Sequence, residues 1–161
     1  MARPLIPSDR KLYAAVGKVA LAHGHLELVQ KYLVRNLAGI GMVEALQSTQ
    51  FSRISDVQKT VKKLARRRKL PEEVVVRLSA LLNRATLLSR ERNTLLHSAI
   101  QMDKKGRISQ KRDDHTWGPA PSVADLDGLS EKILQLSKEI NEERLTGFIR
   151  HACRQYPLPK N

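Results

Sequence analysis

A chain of 161 residues with a formal charge of +13 and a pI near 10.3 has the length of one domain with a real core, and it should gather near polyanions such as nucleic acid. Its single cysteine, Cys153, excludes an internal disulfide, and no Cys or His pair has structural-zinc spacing. No signal-peptide run opens the chain and no stretch approaches membrane-spanning length, so a cytoplasmic protein with no membrane partner, no metal and no cofactor is expected.

The predicted elements are four amphipathic helices, and no segment alternates with period two over a useful length, so the fold class is all-α. The first helix starts after Ser8 as N-cap, with Asp9 in its first turn, and runs to about Leu37, where Gly39-Ile40-Gly41 stops it. Leu12, Val16, Val19, Ala20, Leu26, Val29, Leu33 and Leu37 recur at three and four residues and share one side.

The second helix covers roughly Ser52 to Arg68. Its stripe is Phe51, Ile54, Val57, Val61, Leu64 and Ala65, while Lys59, Lys62, Lys63, Arg66, Arg67, Arg68 and Lys69 fall largely off it. Between Gly41 and Leu70 eight Lys or Arg stand against Glu44 and Asp56, a local charge of +6, whereas Ser122 to Asn161 is neutral. Like charges on a helix that also carries an apolar stripe form a basic ridge on a folded surface.

Leu70-Pro71-Glu72-Glu73 opens the third helix, with Pro in the first turn and two carboxylates at the positive end of the helix dipole. This helix reaches His97, and its wide apolar face (Val74, Val75, Leu78, Leu81, Leu82, Ala85, Leu88, Leu95, Leu96) suits a central position. Residues 101–121 then read as a long basic loop without obvious structure, carrying Lys104, Lys105, Arg107, His115 and Trp117. The last helix begins at Ser122, with Asp125 completing a capping box, and is expected to continue through Phe148, Ile149 and Ala152. With residues 1–8 and 156–161 as flexible ends, the pieces assemble as one four- to five-helix up-and-down bundle.

The third helix ends in Arg92-Asn93-Thr94-Leu95-Leu96-His97, followed by Ser98. Donors and a titratable imidazole fall within two turns, while the two Leu hold the segment to the core, a grouping suited to a phosphate. The bland alternative is a helix-terminal His97 favoured by the dipole and an Arg92 paired at the surface with Glu91 or another carboxylate.

At this segment the chain resembles the HEPN superfamily, helical bundles with an Arg, a polar residue, three further residues and a His on the third helix. The layout is similar too: a long first helix holding Leu26-Glu27, a second after Phe51-Ser52-Arg53, and a last one entered through Ser122-Val123-Ala124-Asp125-Leu126. The resemblance implies a metal-independent endoribonuclease with its site across a two-fold dimer, in a toxin–antitoxin or defence setting with an antitoxin or other protein partner. It equally admits an inactive binding module that regulates a partner.

Attack of a 2′-hydroxyl on the adjacent phosphate needs a base, an acid and positive charge on the phosphoryl oxygens. A homodimer joining the motif faces would supply two His97 and two Arg92, with Asn93 orienting and Ser98 assisting. RNA would lie on Lys62, Lys63, Arg66, Arg67 and Arg68 of the ridge and on Lys104, Lys105 and Arg107 of the loop. Glu27 is a weaker candidate, as a partner of Arg92 or His97 from inside the bundle or as half of an exposed ion pair. His23 and His25 are expected as helix-surface histidines, Trp117 as a pin for the loop, and His115 as an outside candidate for proton transfer.

Overall fold

The computed structural model describes residues 9–97, 100–102, 108–111 and 116–159, with the side chains of His97, residues 100–102, Ile108, Lys111 and Trp117 outside the description. Among these residues there are six helices and three short strands, and the architecture is an all-α helical bundle. Ser98, Lys104, Lys105, Arg107 and His115 lie outside the described residues.

Helix α1 (Arg10–Ala38) is capped by Asp9, whose carboxylate accepts from the backbone N–H of Lys11 at 2.8 Å and Leu12 at 3.2 Å. The cap therefore falls one residue beyond Ser8, because Asp9 itself has the extended backbone a cap requires. Gly39 ends the helix at φ 68°, a left-handed conformation that costs glycine nothing, with its N–H on the Arg35 carbonyl. Along α1 the buried arc from Leu12 through Val19, Leu26 and Leu33 to Leu37 is wide enough to meet several neighbours. It packs against α2 (Met42–Thr49), α3 (Ile54–Arg67), α4 (Glu72–His97) and α5 (Val123–Leu145).

The hub is thus α1. The helix expected at the centre, α4, is buried only along Leu78, Leu81, Leu82 and Ala85 and leaves Val76 and Leu87 exposed. Two further expectations fail on α1 and before α3. Ala20 is exposed, and Phe51 is 94% exposed, since the turn before α3 carries it outside the stripe.

Helix α2 was not expected: eight residues with only Ala45 and Thr49 buried show no legible period. Its presence changes the topology. Lys18 meets Asp127 at 2.8 Å and the Asn36 amide donates to the Arg144 carbonyl at 2.9 Å, so α1 and α5 run in the same direction. Gln58 against Gln30, and Arg68 against the Leu37 carbonyl, make α3 parallel to α1 as well. Helix α4 opposes them all, as His23–Ser89 on α1 and Arg84–Glu139 and Arg77–Glu143 on α5 require. The short α2 supplies the return stroke between α1 and α3.

After α4 the stretch expected as an unstructured loop forms an antiparallel sheet, ordered β1 (Ile100–Met102), β2 (Ile108–Lys111), β3 (Trp117–Pro119). Strands of three or four residues are too short to show alternation. Gln110, buried on β2, donates from Nε2 to the Thr94 and Leu95 carbonyls at 3.1 and 3.2 Å. Those carbonyls belong to the last turns of α4, where helix acceptors need outside donors, so the sheet is tied to the motif end.

Ser122 and Asp125 form the expected capping box at the start of α5. The helix does not continue to Ala152. It ends at Leu145, and after Gly147 a separate α6 (Phe148–Gln155) begins, with the Phe148 N–H on Glu143 Oε2 at 2.8 Å. A Cβ on Gly147 would stand 2.8 Å from Glu143 Cα, so the corner has no room for a side chain. Tyr156, expected in a flexible end, packs half-buried against the core.

Candidate functional site

Because α4 opposes α1, its terminal turns lie beside the N-terminal half of α1. Leu95 and Leu96 are half-buried against the core and hold the Arg92–His97 segment in place. The Arg92 side chain is half-buried, and no ion pair with Glu91 forms among the described residues. Its Nη1 donates to Asn93 Oδ1 at 2.8 Å, while its buried Nε has no hydrogen-bond partner among the described residues. Asn93 is exposed and faces solvent beside it. Among the described residues this partly withdrawn guanidinium meets a neutral amide and no carboxylate, an arrangement that can take an anion.

His23 departs from the surface position expected of it. It is 4% exposed, not a surface histidine, because it sits four residues after Val19 and three before Leu26 on the buried arc of α1. That spacing was the available signal. Its Nε2 lies 3.0 Å from Ser89 Oγ, and Ser89 itself donates to the Ala85 carbonyl at 2.8 Å, so the imidazole is the donor. On the other side Nδ1 faces Glu27 Oε1 at 3.6 Å. Burial pushes the imidazole below its ordinary pKa; Glu27 pulls the other way, and the nearby Arg92 cation adds to the depression. His23 is therefore a neutral group beside a charged one. Glu27 acts on His23, and its side chain is half open to solvent.

The polar seam continues inward. Gln58 on α3 donates to Gln30 Oε1 at 2.7 Å and accepts from Thr86 Oγ1 at 3.0 Å, with Gln30 in turn on the Leu26 carbonyl. Gln30, Gln58, Thr86 and Ser89 were not singled out in the sequence, where isolated polar residues on apolar helices carry no motif.

Of the expected ridge, Lys63, Arg66 and Arg67 are exposed and Lys62 is half-buried. Arg68 is not on it. It is 7% exposed, and its guanidinium donates to the carbonyls of Leu37, Asn36 (3.3 Å), Cys153 (2.9 Å) and Tyr156 (2.8 Å), clamping the end of α1 to α6. The reason is positional: the final turn of α3 points Arg68 into a corner where helix ends leave carbonyls unsatisfied. Since Gln58 stands level with Leu82 and Thr86, Lys62 and Arg66 stand level with α4 positions roughly 12 to 16 residues before Arg92. At about 1.5 Å per residue the ridge lies roughly 20 Å from the motif within one chain.

Among the described residues no group of three or more His, Cys, Asp and Glu could hold a metal ion, and no helix is long and apolar enough to cross a membrane. Comparison of the chain with protein-family models, with curated proteins and with solved structures finds no match.

Proposed function

We propose that the chain is an RNA-binding protein of HEPN-like type that acts as a homodimer and cleaves RNA without a metal through Arg92 and His97. The observation that carries this reading is Arg92: a half-buried cation on the last turns of α4, held by an amide, with no carboxylate partner among the described residues, and set beside a neutral imidazole. Such a cation gains by meeting a phosphate. In the reaction the 2′-oxygen bonds to phosphorus as the P–O5′ bond breaks, one proton leaving the 2′-hydroxyl and one reaching O5′. Arg92 would neutralise the phosphoryl oxygens, Asn93 would fix the guanidinium, and His97 would carry a proton. The net charge of +13 supplies the sequence-independent attraction.

The second reading is a binding module without catalysis. The separation of ridge and motif favours it, because a short RNA on the ridge of one chain does not reach Arg92 of that chain. Incubation of the purified protein with a mixed RNA pool in excess chelator, beside His97→Ala and Arg92→Ala, separates the two. Cleavage by the wild type and not by the variants is the expected result. Salt-sensitive binding with no cleavage would select the binding module, and no RNA binding at low salt would overturn both.

A further inference from the structure

Arg144, in the last turn of α5, is 6% exposed, yet it has no carboxylate partner among the described residues. Its guanidinium stacks on the Tyr32 ring of α1 at 4.7 Å, and its Nη2 donates to Asn141 Oδ1 at 2.5 Å. Nε and Nη1 are buried without a hydrogen-bond partner among the described residues. Arg68, equally buried, uses its donors on four carbonyls, whereas Arg144 meets one amide and one ring. A guanidinium withdrawn from water with two donors unmet is costly to the fold, and an anion would relieve that cost.

Asn36 of α1 stands against it. Its Nδ2 donates to the Arg144 carbonyl at 2.9 Å and its own carbonyl accepts from Arg68 at 3.3 Å, so the residue is held at both ends, and turning the amide round would set oxygen against oxygen. That orientation leaves Oδ1 buried and unmet among the described residues. Arg35, the half-buried neighbour of Asn36, has no ion-pair partner among the described residues either. Burial pulls the Arg144 pKa below the ordinary arginine value, and the nearby Arg35 cation adds to the depression. The space between the ends of α1 and α5 thus carries two cations, two open donors and one open acceptor.

We propose that this spot binds a phosphate group that still carries a proton, as inorganic phosphate or as the phosphomonoester end of a nucleotide. Its oxygens accept from Arg144 Nε and Nη1 and face Arg35, while the P–OH donates to Asn36 Oδ1. The open acceptor sets the class. Sulfate and a phosphodiester bring accepting oxygens but no proton, and would leave Oδ1 against another oxygen. Tyr32, Arg35 and Asn141 are only half-buried, so an ion enters by displacing side chains rather than backbone. The site does not rest on the RNA reading, since Asn36 lies roughly 20 Å along α1 from His23, the residue that stands beside Ser89 and the Arg92 end of α4.

Calorimetric titration of the wild type with inorganic phosphate, in a chloride buffer, tests the site without RNA. Phosphate should bind at a single site, and Tm should rise with its concentration. Sulfate and dimethyl phosphate at equal ionic strength should bind about tenfold more weakly, the loss expected when a buried acceptor goes unpaired, and they also measure the general attraction of a +13 chain for anions. Asn141→Asp keeps the contact to Nη2 and supplies the missing charge from within, so it should raise Tm without phosphate and abolish the response to phosphate. Arg35→Gln should keep the wild-type fold by circular dichroism and bind phosphate about tenfold more weakly. Adenosine 5′-monophosphate identifies the source: tighter binding than inorganic phosphate assigns a phosphomonoester, equal or weaker binding assigns the free ion, and both uphold the site. Absence of phosphate binding, or an equal response to phosphate, sulfate and dimethyl phosphate, would overturn the proposal. So would an Asn141→Asp protein that binds phosphate as the wild type does.

Discussion

Replacing Arg68 by Ala removes one guanidinium from four carbonyls that close the corner between α1, α3 and α6. A hydrogen bond from a charged donor contributes about 1.5–3 kcal/mol net. Four from one group do not add, and water can reach some of the acceptors once the side chain is gone, so the expected loss is about 3–5 kcal/mol. Against a total of about 5–15 kcal/mol for a domain, that is a large share, and it corresponds to a fall in Tm of about 6–20 °C. Urea and thermal unfolding followed by circular dichroism measure it directly. Arg66→Ala, at an exposed neighbour, is the control and should stay within about 0.5 kcal/mol of wild type. Arg68→Lys should recover only part, because a point-charge ammonium cannot serve acceptors spread around a planar fork. The salt dependence of RNA binding adds a second readout: Arg66→Ala should lower the slope and Arg68→Ala should leave it unchanged. An Arg68→Ala protein within about 1 kcal/mol of wild type, or one that lowers the salt slope as Arg66→Ala does, would refute the clamp.

His23 makes stability fall in acid. Its folded pKa lies below the ordinary 6.5, so the unfolded chain binds the proton first; the contribution is complete above 6.5 and is lost as pH drops from there through the lowered folded pKa. His23→Gln, which keeps a donor toward Ser89, should flatten the difference in urea midpoint between pH 7.5 and 5.5, and an unchanged pH dependence would remove His23 as its source. Gly147→Ala forces a Cβ onto the Glu143 backbone at the α5–α6 corner. It should cost about 1–3 kcal/mol by overpacking, read as a lowered Tm, and a neutral substitution would mean the corner yields freely.

Much of the bundle was legible in the chain because helices write their buried faces at a period of 3.6. Leu12 to Leu37, Val57 to Ala65 and Leu126 to Ile140 could be assigned to a core without any neighbour being known, and the Ser122–Asp125 capping box is a purely local device. So is the Arg92–His97 segment on the end of a helix. Elements shorter than two periods were not legible: α2, the three strands and the break before α6 leave too few residues for a pattern, and with α2 between them α1 and α3 run parallel. Exposure was the other blind spot. Arg68 and Arg66 are the same residue type two positions apart in one basic run, and only the docking of α6 and the end of α1 over that corner turns one into an internal clamp while the other stays in solvent. His23 likewise gained its role from Ser89 and Arg92, which lie far along the chain and come beside it only because α4 folds back antiparallel to α1. Periodicity reports which side of a helix is apolar; which helix covers that side, and which side is left open, is settled by packing alone.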